Sequence, residues 1–319
     1  MLAKKAPACY HTAKGSENMV VGRFAPSPSG RMHLGNLFAA LLAWLSVRSS
    51  GGVFLLRIED LDPQRCRPEY ADQLRRDLET FGLDWDREQT PQSRRTAAYE
   101  ARFSQLESQG LVYPCYCSRD ALHAASAPHG TDGNPIYPGT CRDLTPAQRA
   151  AQTRSPAWRL RVPDRDYPIP DRLQGPYIEN LARDCGDFII RRSDGVYAYQ
   201  LAVVCDDLDG GVTEIVRGRD LLSSSPRQAY LWELFGANPP AFCHVPLLLA
   251  PDGRRLAKRD RDLELGQLLA RTTPEAIFGT LLSACGVLDH PEPISAREAA
   301  GVFSWDRVRP QDLTLTDIL

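Results

Sequence analysis

The first apolar block, Met19 to Gly22, is short; a polar stretch bearing proline and glycine follows, and then Leu37 to Val47, an apolar segment long enough for a buried helix. That order predicts strand, turn and helix. Gly51-Gly52 breaks the chain, and the mostly apolar Val53 to Ile58 reads as a strand buried in a parallel sheet. Tyr70, Leu74, Leu78 and Phe81 recur at helical spacing within Glu69 to Phe81, closed by Gly82. Tyr99, Phe103 and Leu106 do the same within Thr96 to Gln109, closed by Gly110. Between these helices, Leu83 to Asp86 and Pro91 to Arg94 read as loop. From Leu111 to about Arg183 proline and glycine become frequent and long helical patterns stop, which predicts an inserted subdomain. Within it Thr145-Pro146 opens a helix and Trp158 to Val162 alternates like a half-buried strand.

Asp187 to Arg192 and Val196 to Leu201 flank Ser193-Asp194-Gly195, a β-hairpin pattern, with Asp206, Asp207 and Asp209 in a loop before Gly210-Gly211. Val212 to Val216 predicts a strand, and Ser225-Pro226 opens a helix running to Gly236. His244 to Ala250 predicts an apolar strand that turns at Pro251-Asp252-Gly253 into the basic run Arg254 to Arg259. Thr273-Pro274 and Ser295 read as N-caps of two further helices. The alternation of strands and helices predicts an α/β fold.

At 319 residues and 43% apolar content, the chain is expected to form one large core with an insertion, or two domains. No apolar run approaches membrane length, so no membrane partner is expected. Residues 1–18 carry Lys4, Lys5 and Lys14 without the apolar centre of a secretory signal and read as a loose extension, which predicts a cytoplasmic protein. Nine cysteines, an odd number without a framework of pairs, suit a reducing compartment. A net charge of −2 excludes a uniformly basic nucleic-acid binder and leaves only local patches such as Arg75-Arg76, Arg94-Arg95, Arg191-Arg192 and Arg254-Arg255.

Three groups of residues carry candidate chemistry. Arg23 to Asn36 forms a strand-to-helix turn that presents backbone N–H groups at a helix start, where the macrodipole favours phosphate. Pro26 and Pro28 stiffen it, Gly30 and Gly35 admit a ligand close to the backbone, and His33 and Asn36 add neutral donors. Taken alone it is an ordinary βα turn. Glu59, Asp60 and Asp62 end a strand where open α/β sheets bind ligands, although Asp60 and Asp62 have the character of turn residues. Cys115 and Cys117 face one way in an extended segment, with Cys141 downstream. These are either three buried thiols or, with Tyr137, His129 or His123 as a fourth ligand, a tetrahedral zinc site.

A His-bearing βα turn and a distant lysine-bearing loop together resemble the HIGH and KMSKS signatures of class I aminoacyl-tRNA synthetases, carried here by His33-Leu-Gly-Asn36 and Arg255-Leu-Ala-Lys-Arg259. Arg23 to Gly30, Arg57-Ile-Glu-Asp-Leu-Asp62 and Tyr197 to Ala202 are similar to the glutamyl and glutaminyl branch of that class, and the whole resembles the glutamyl-Q tRNA(Asp) synthetase family over roughly Val20 to Leu269. Only 61 residues follow Lys258, which by this resemblance predicts a small helical C-terminal region, 271–319, and no anticodon-binding domain.

The resemblance implies a Rossmann-like parallel-sheet catalytic domain in two halves, 19–110 and 187–270, around a zinc-stapled insertion at 111–186. It implies Arg23, Phe24, Ala25, Pro26, Ser27, Glu59, Tyr199 and Arg217 around glutamate, with Glu59 on the ammonium group. It places His33, Gly35, Asn36 and Lys258 on ATP, with His33, Asn36 and Lys258 catalytic, and Cys115, Cys117, Tyr137 and Cys141 on Zn²⁺. The expected reaction is tRNA-independent formation of glutamyl-adenylate with Mg²⁺-ATP, then transfer to the queuosine base of tRNA(Asp), by a monomer. A truncated glutamyl-tRNA synthetase and a catalytically silent glutamate- or RNA-binding paralogue are the alternatives. The chain departs from the family at Arg255 and Ala257, where Lys and Ser are usual, and at Asn36, which stands for the second His of HIGH.

Overall fold

In the computed structural model, which describes residues 19–118, 136–254 and 264–314, the strands Val21–Phe24 (β1) and Val53–Leu56 (β2) pair in parallel with Val21 opposite Val53, and the helix Leu34–Ser49 (α1) connects them. The helix starts three residues earlier than its apolar run predicts because the polar residues at its head form the cap. Its apolar residues are buried on nearly every side, from Leu37 and Phe38 to Leu45 and Val47, which makes it the centre of the larger core. At Gly22 a Cβ would fall 2.5 Å from Val47 Cγ2, so glycine is what lets β1 lie this close to α1.

After helix Pro68–Thr80 (α2), the short strand Arg87–Glu88 (β3) extends the parallel sheet beside β2. Both its residues are exposed, so no hydrophobic pattern marks it in the sequence. Helix Thr96–Ser108 (α3) then leads into Val112–Cys115 (β4). The inserted region adds the short helix Pro146–Ala150 (α4), whose capping box joins Thr145 and Gln148, and the strand Ala157–Leu160 (β5). Asp166–Asp171 (β6) and Gly175–Asn180 (β7) follow as an antiparallel hairpin, and Phe188–Arg191 (β8) closes a sheet in the order β4-β5-β8. The β6 strand was hidden in the sequence by Pro168 and Pro170. Both sit at outward positions of an alternating strand whose Tyr167, Ile169 and Asp171 turn inward.

One expectation is overturned here. The chain does reverse at Ser193-Asp194-Gly195, with the Arg192 N–H on the Val196 carbonyl at 2.8 Å and the Ala198 N–H on the Ile190 carbonyl at 2.9 Å, but the returning arm is no strand through Leu201: it is a single bridge from Tyr197 to Arg191, and Tyr199–Gly210 is a helix (α5). Asp206 and Asp207 therefore lie within a helix and are buried, not in a loop. Their polarity mimics a turn locally, but partners from distant segments satisfy them. The helix ends at Gly211, whose φ of 68° is left-handed.

The strands Glu214–Gly218 (β9) and Ala241–Val245 (β10) form a second parallel pair around helix Ser225–Leu234 (α6). The Thr213 N–H donates to the Val21 carbonyl at 2.9 Å and ties this pair to β1. The strand expected over His244 to Ala250 starts earlier, at Ala241, and is interrupted at Pro246 before Leu248–Leu249 (β11). Helices Leu265–Leu269 (α7), Pro274–Ala284 (α8) and Ala296–Val302 (α9) follow, with Thr273 and Ser295 as the expected N-caps. The Trp305 indole N–H donates to Ser46 Oγ of α1 at 2.9 Å, and Leu313–Thr314 (β12) pairs in parallel with β11. Among the described residues no helix is long and apolar enough to cross a membrane. Residues 1–18, His123, His129, Arg255, Ala257 and Lys258 lie outside the described residues.

Candidate active site

The turn between β1 and α1 is organised by its own side chains. His33 is the N-cap: its Nδ1 accepts from the Gly35 N–H at 3.2 Å, while Asn36 Oδ1 accepts from the His33 N–H at 3.3 Å. The reciprocal capping box satisfies two backbone donors of the helix start. It also fixes the imidazole tautomer, since an accepting Nδ1 puts the ring proton on Nε2.

Beneath the turn lies a buried network of charges. Asp207 of α5 accepts from Arg23 Nε at 3.2 Å and from Arg57 Nη1 at 2.6 Å, and Arg57 Nη2 reaches Glu59 at 3.0 Å. Asp206 takes Arg95 at 2.6 Å, Gln92 at 2.7 Å and the Tyr99 hydroxyl at 3.0 Å. Burial alone would raise the Asp207 carboxyl, but Arg23 and Arg57 hold it below the usual carboxylate range. Burial pushes the Glu59 carboxyl up, with Arg57 and Arg23 pulling the other way. Three carboxylates are thus offset by Arg23, Arg57 and the half-buried Arg95.

Arg217, at the end of β9, is different. It is 6% exposed, and its partners are neutral: His244 Nε2 at 3.0 Å, Gln228 Oε1 at 2.8 Å, Ser225 Oγ at 2.8 Å and the Leu221 carbonyl at 3.3 Å. Among the described residues no carboxylate lies within ion-pair distance of it. Burial accordingly lowers the stability of its charged form. A cation held in place but not neutralised by its own protein is poised for an anion.

These residues line one cavity of about 490 Å³. Arg23, Phe24, Ala25, Pro26, Ser27, Glu59, Tyr199 and Arg217 stand on its wall together with His33, Gly35 and Asn36, so the structure brings together every pocket residue expected from the sequence except Lys258, which lies outside the described residues. A second cavity of about 340 Å³ shares Ser27, Ser29, Glu59 and Tyr199 with the first and has Arg65 and Arg192 in its lining. Asp62 serves its own turn, as its residue type predicts, accepting from the Gln64 N–H, whereas Asp60 ties this turn to a distant one by accepting from Ser93 N–H and Oγ.

Sequence reading missed Asp206, Asp207 and His244. The only signal for the first two was an acidic pair inside an otherwise apolar stretch. His244 is fully buried, and burial pushes its imidazolium from 6.5 down to about 4 against the pull of Asp171. Between those values the unfolded chain binds the proton and the folded one does not, so stability falls as pH is lowered from about 6.5 towards 4. The expected loss from this group is on the order of 3 kcal/mol. Burial-raised carboxyls such as Glu59 and Asp206 act in the opposite sense, so urea unfolding across this range should be compared between wild type and His244→Gln, whose curve is expected to be flatter against pH.

In the inserted region the sulfurs of Cys115, Cys117 and Cys141 all lie within 4.8 Å of one another, with Cys117 and Cys141 3.7 Å apart. The Tyr137 oxygen is 3.4 Å from Cys115 Sγ. Zn–S bonds of about 2.3 Å at tetrahedral angles put sulfurs about 3.8 Å apart, so the cluster of three thiols could hold such an ion. Arg159 donates to Cys115 Sγ at 3.2 Å and lies 3.7 Å from the centre of the Tyr137 ring, a cation placed to balance clustered thiolates. Gly186 (φ 71°) backs the site: a Cβ there would fall 2.6 Å from the Tyr137 carbonyl.

Parallel strands, a capped helix start and a charged pocket suit a nucleotide-using α/β enzyme, and residues 19–284 match the family of class I tRNA synthetases (E and Q), catalytic domain, which makes this a class I aminoacyl-tRNA synthetase catalytic domain. A glutamyl-Q tRNA(Asp) synthetase from Symbiobacterium thermophilum is 47% identical over 304 residues, 91% of this chain and 94% of the relative. Another, from Nitratidesulfovibrio vulgaris, is 47% identical over 317 residues, 94% of this chain and 97% of the relative. Among solved structures, a glutamate tRNA ligase from Elizabethkingia meningosepticum in complex with its amino acid superposes with a TM-score of 0.77 at 26% identity, covering 93% of this chain and 67% of that one. The chain belongs to the glutamyl-Q tRNA(Asp) synthetase family of class I synthetase-like ligases.

Proposed function

We propose that this protein activates glutamate with ATP, without tRNA, and then transfers it to the queuosine base in the anticodon of tRNA(Asp). The observation that carries the glutamate reading is Arg217, a buried cation whose protein partners are all neutral. A buried guanidinium on the cavity wall with only neutral protein partners matches the side-chain carboxylate of glutamate and not the neutral amide of glutamine. Arg217 takes the side-chain carboxylate, Glu59 the ammonium, and Arg23 to Ser27 with Tyr199 complete the wall. The α-carboxylate is then free to attack the α-phosphorus of ATP. As that bond forms, the bond to the bridging oxygen breaks and pyrophosphate leaves.

No protein nucleophile is required. The helix start, His33 and Asn36 would stabilise the phosphate charge from one side and Lys258 from the other, by alignment and electrostatics. In the second step a hydroxyl of the modified base attacks the activated carbonyl and AMP leaves. The second cavity, which shares Glu59 and Tyr199 with the first, is the proposed approach of the RNA to that carbonyl. The transfer of labelled glutamate to queuosine-containing tRNA(Asp) and to the same tRNA lacking queuosine tests this. Charging of only the first is expected; equal charging, or none, rejects the queuosine assignment. Pyrophosphate exchange with glutamate but no tRNA tests the activation step separately.

Cys115, Cys117, Tyr137 and Cys141 would hold one Zn²⁺ that staples the 111–186 insertion, a structural role away from the reacting atoms. Elemental analysis is expected to find one zinc per monomer, and Cys117→Ser with Cys141→Ser to abolish it; metal-free wild-type protein of undiminished thermal stability would count against the site. The enzyme is proposed to work as a cytoplasmic monomer.

A further inference from the structure

Arg217 does not hold its orientation alone. His244 Nε2, on the neighbouring strand, receives Arg217 Nε at 3.0 Å, and the Ser225 hydroxyl stands 3.2 Å from the same nitrogen. On the other side of the ring, His244 Nδ1 is 2.6 Å from Asp171 Oδ2. Asp171 ends β6, the first strand of the inserted hairpin, and its other oxygen is held by the backbone N–H groups of Leu173 at 3.1 Å and Gln174 at 2.8 Å. All three side chains are buried, and the Phe242 ring stacks on His244 and lies 5.5 Å from the Arg217 guanidinium.

The proton positions follow from these contacts. A guanidinium N–H can only donate, so His244 Nε2 must be an acceptor. The ring proton then sits on Nδ1, where Asp171 receives it. A doubly protonated ring would set two donors against each other at Nε2. We propose that Asp171 and His244 form a brace that fixes one imidazole tautomer, orients the Arg217 guanidinium through it, and so sets how tightly the site holds the side-chain carboxylate of its amino acid. The inference rests on the reading of Arg217 as the glutamate-binding cation, and makes His244 and Asp171 positioning residues that do not line the cavity themselves.

Asp171→Asn is the sharpest probe. The His244 backbone N–H donates to both oxygens, but Oδ1 also accepts from Leu173 and Gln174, so the amide oxygen is expected to stay there and the new amide nitrogen to take the Oδ2 place, facing His244 Nδ1 as a donor. That drives the ring proton to Nε2, against Arg217. Pyrophosphate exchange is expected to show KM for glutamate raised about ten- to a hundredfold, the usual range for one hydrogen bond to a charged group. KM for ATP should stay within roughly twofold. His244→Leu should behave likewise, whereas His244→Gln, whose side-chain oxygen can still accept from Arg217, should recover most of the affinity. ¹⁵N spectroscopy of wild-type protein should find His244 protonated on Nδ1 alone, and needs no variant to fold. A proton on Nε2, or a glutamate KM unchanged in both Asp171→Asn and His244→Leu while Arg217→Ala raises it, overturns the brace. A loss shared equally by glutamate and ATP also counts against it, as the mark of a merely structural role. An unchanged glutamate KM in Arg217→Ala would instead reject the reading of Arg217 on which the brace depends.

Discussion

Arg217→Ala is expected to lower kcat/KM for glutamate in pyrophosphate exchange by on the order of a hundred- to a thousandfold, the usual cost of removing one preorganised charged donor from a closed site. The size follows from its surroundings. The guanidinium is buried, held by His244, Gln228, Ser225 and the Leu221 carbonyl, and needs no rearrangement to meet a carboxylate. Alanine removes the one buried guanidinium whose protein partners are all neutral and leaves four polar groups facing a cavity. Discrimination should collapse together with activity, because glutamine, which gains nothing from that charge, should lose far less than glutamate. Equal losses for the two amino acids would show that Arg217 shapes the pocket without reading charge.

Asp207→Asn is expected to cost about 3–5 kcal/mol of folding stability, the range for removing one partner from a buried ion pair. Asp207 is the shared acceptor of Arg23 and Arg57, and Arg57 in turn holds Glu59. Neutralising it leaves the two buried guanidiniums with Glu59 and with Asp206, which is 3.7 Å from Arg57 Nε and already shared with Arg95. Glu59 is then drawn towards Arg23 and Arg57 and away from an incoming ammonium, so glutamate affinity should fall even in the molecules that remain folded. Urea unfolding measures the first effect, and equilibrium binding of glutamate well below the unfolding midpoint measures the second. A variant within 1 kcal/mol of wild type by the same measurement would mean that water enters the network, contrary to the near-complete burial of Arg57 and Asp207.

Much of the architecture is written locally. Apolar spacing places α2 and α3, and glycines close them; Thr145, Thr273 and Ser295 cap the helices they were expected to cap. Period and capping depend only on neighbouring residues, so the sequence displays them directly. The same holds for the turn from Arg23 to Asn36, where residue types suited to a phosphate-facing helix start occur in one continuous stretch. The resemblance of that turn and of Arg57 to Asp62 to a known family brought Glu59, Tyr199 and Arg217 into the same expected pocket, and the chain folds them onto one cavity wall.

The outward prolines of β6 and the acidic end of α5 were misread because tertiary contacts outweigh local propensity there. Asp207 looks like a turn residue until Arg23 and Arg57, far away in sequence, arrive on it. His244 looks like one more residue of an apolar strand until Asp171 and Arg217 close on either side of its ring. By itself, then, the sequence determined the strand, turn and helix of the first unit, the helices α2 and α3, the caps at Thr145, Thr273 and Ser295, the grouping of three cysteines and the residue types of the pocket. Only the tertiary structure decided which charges are matched and which are left for a ligand, because pairing and desolvation depend on distances between segments that the linear order of residues does not contain.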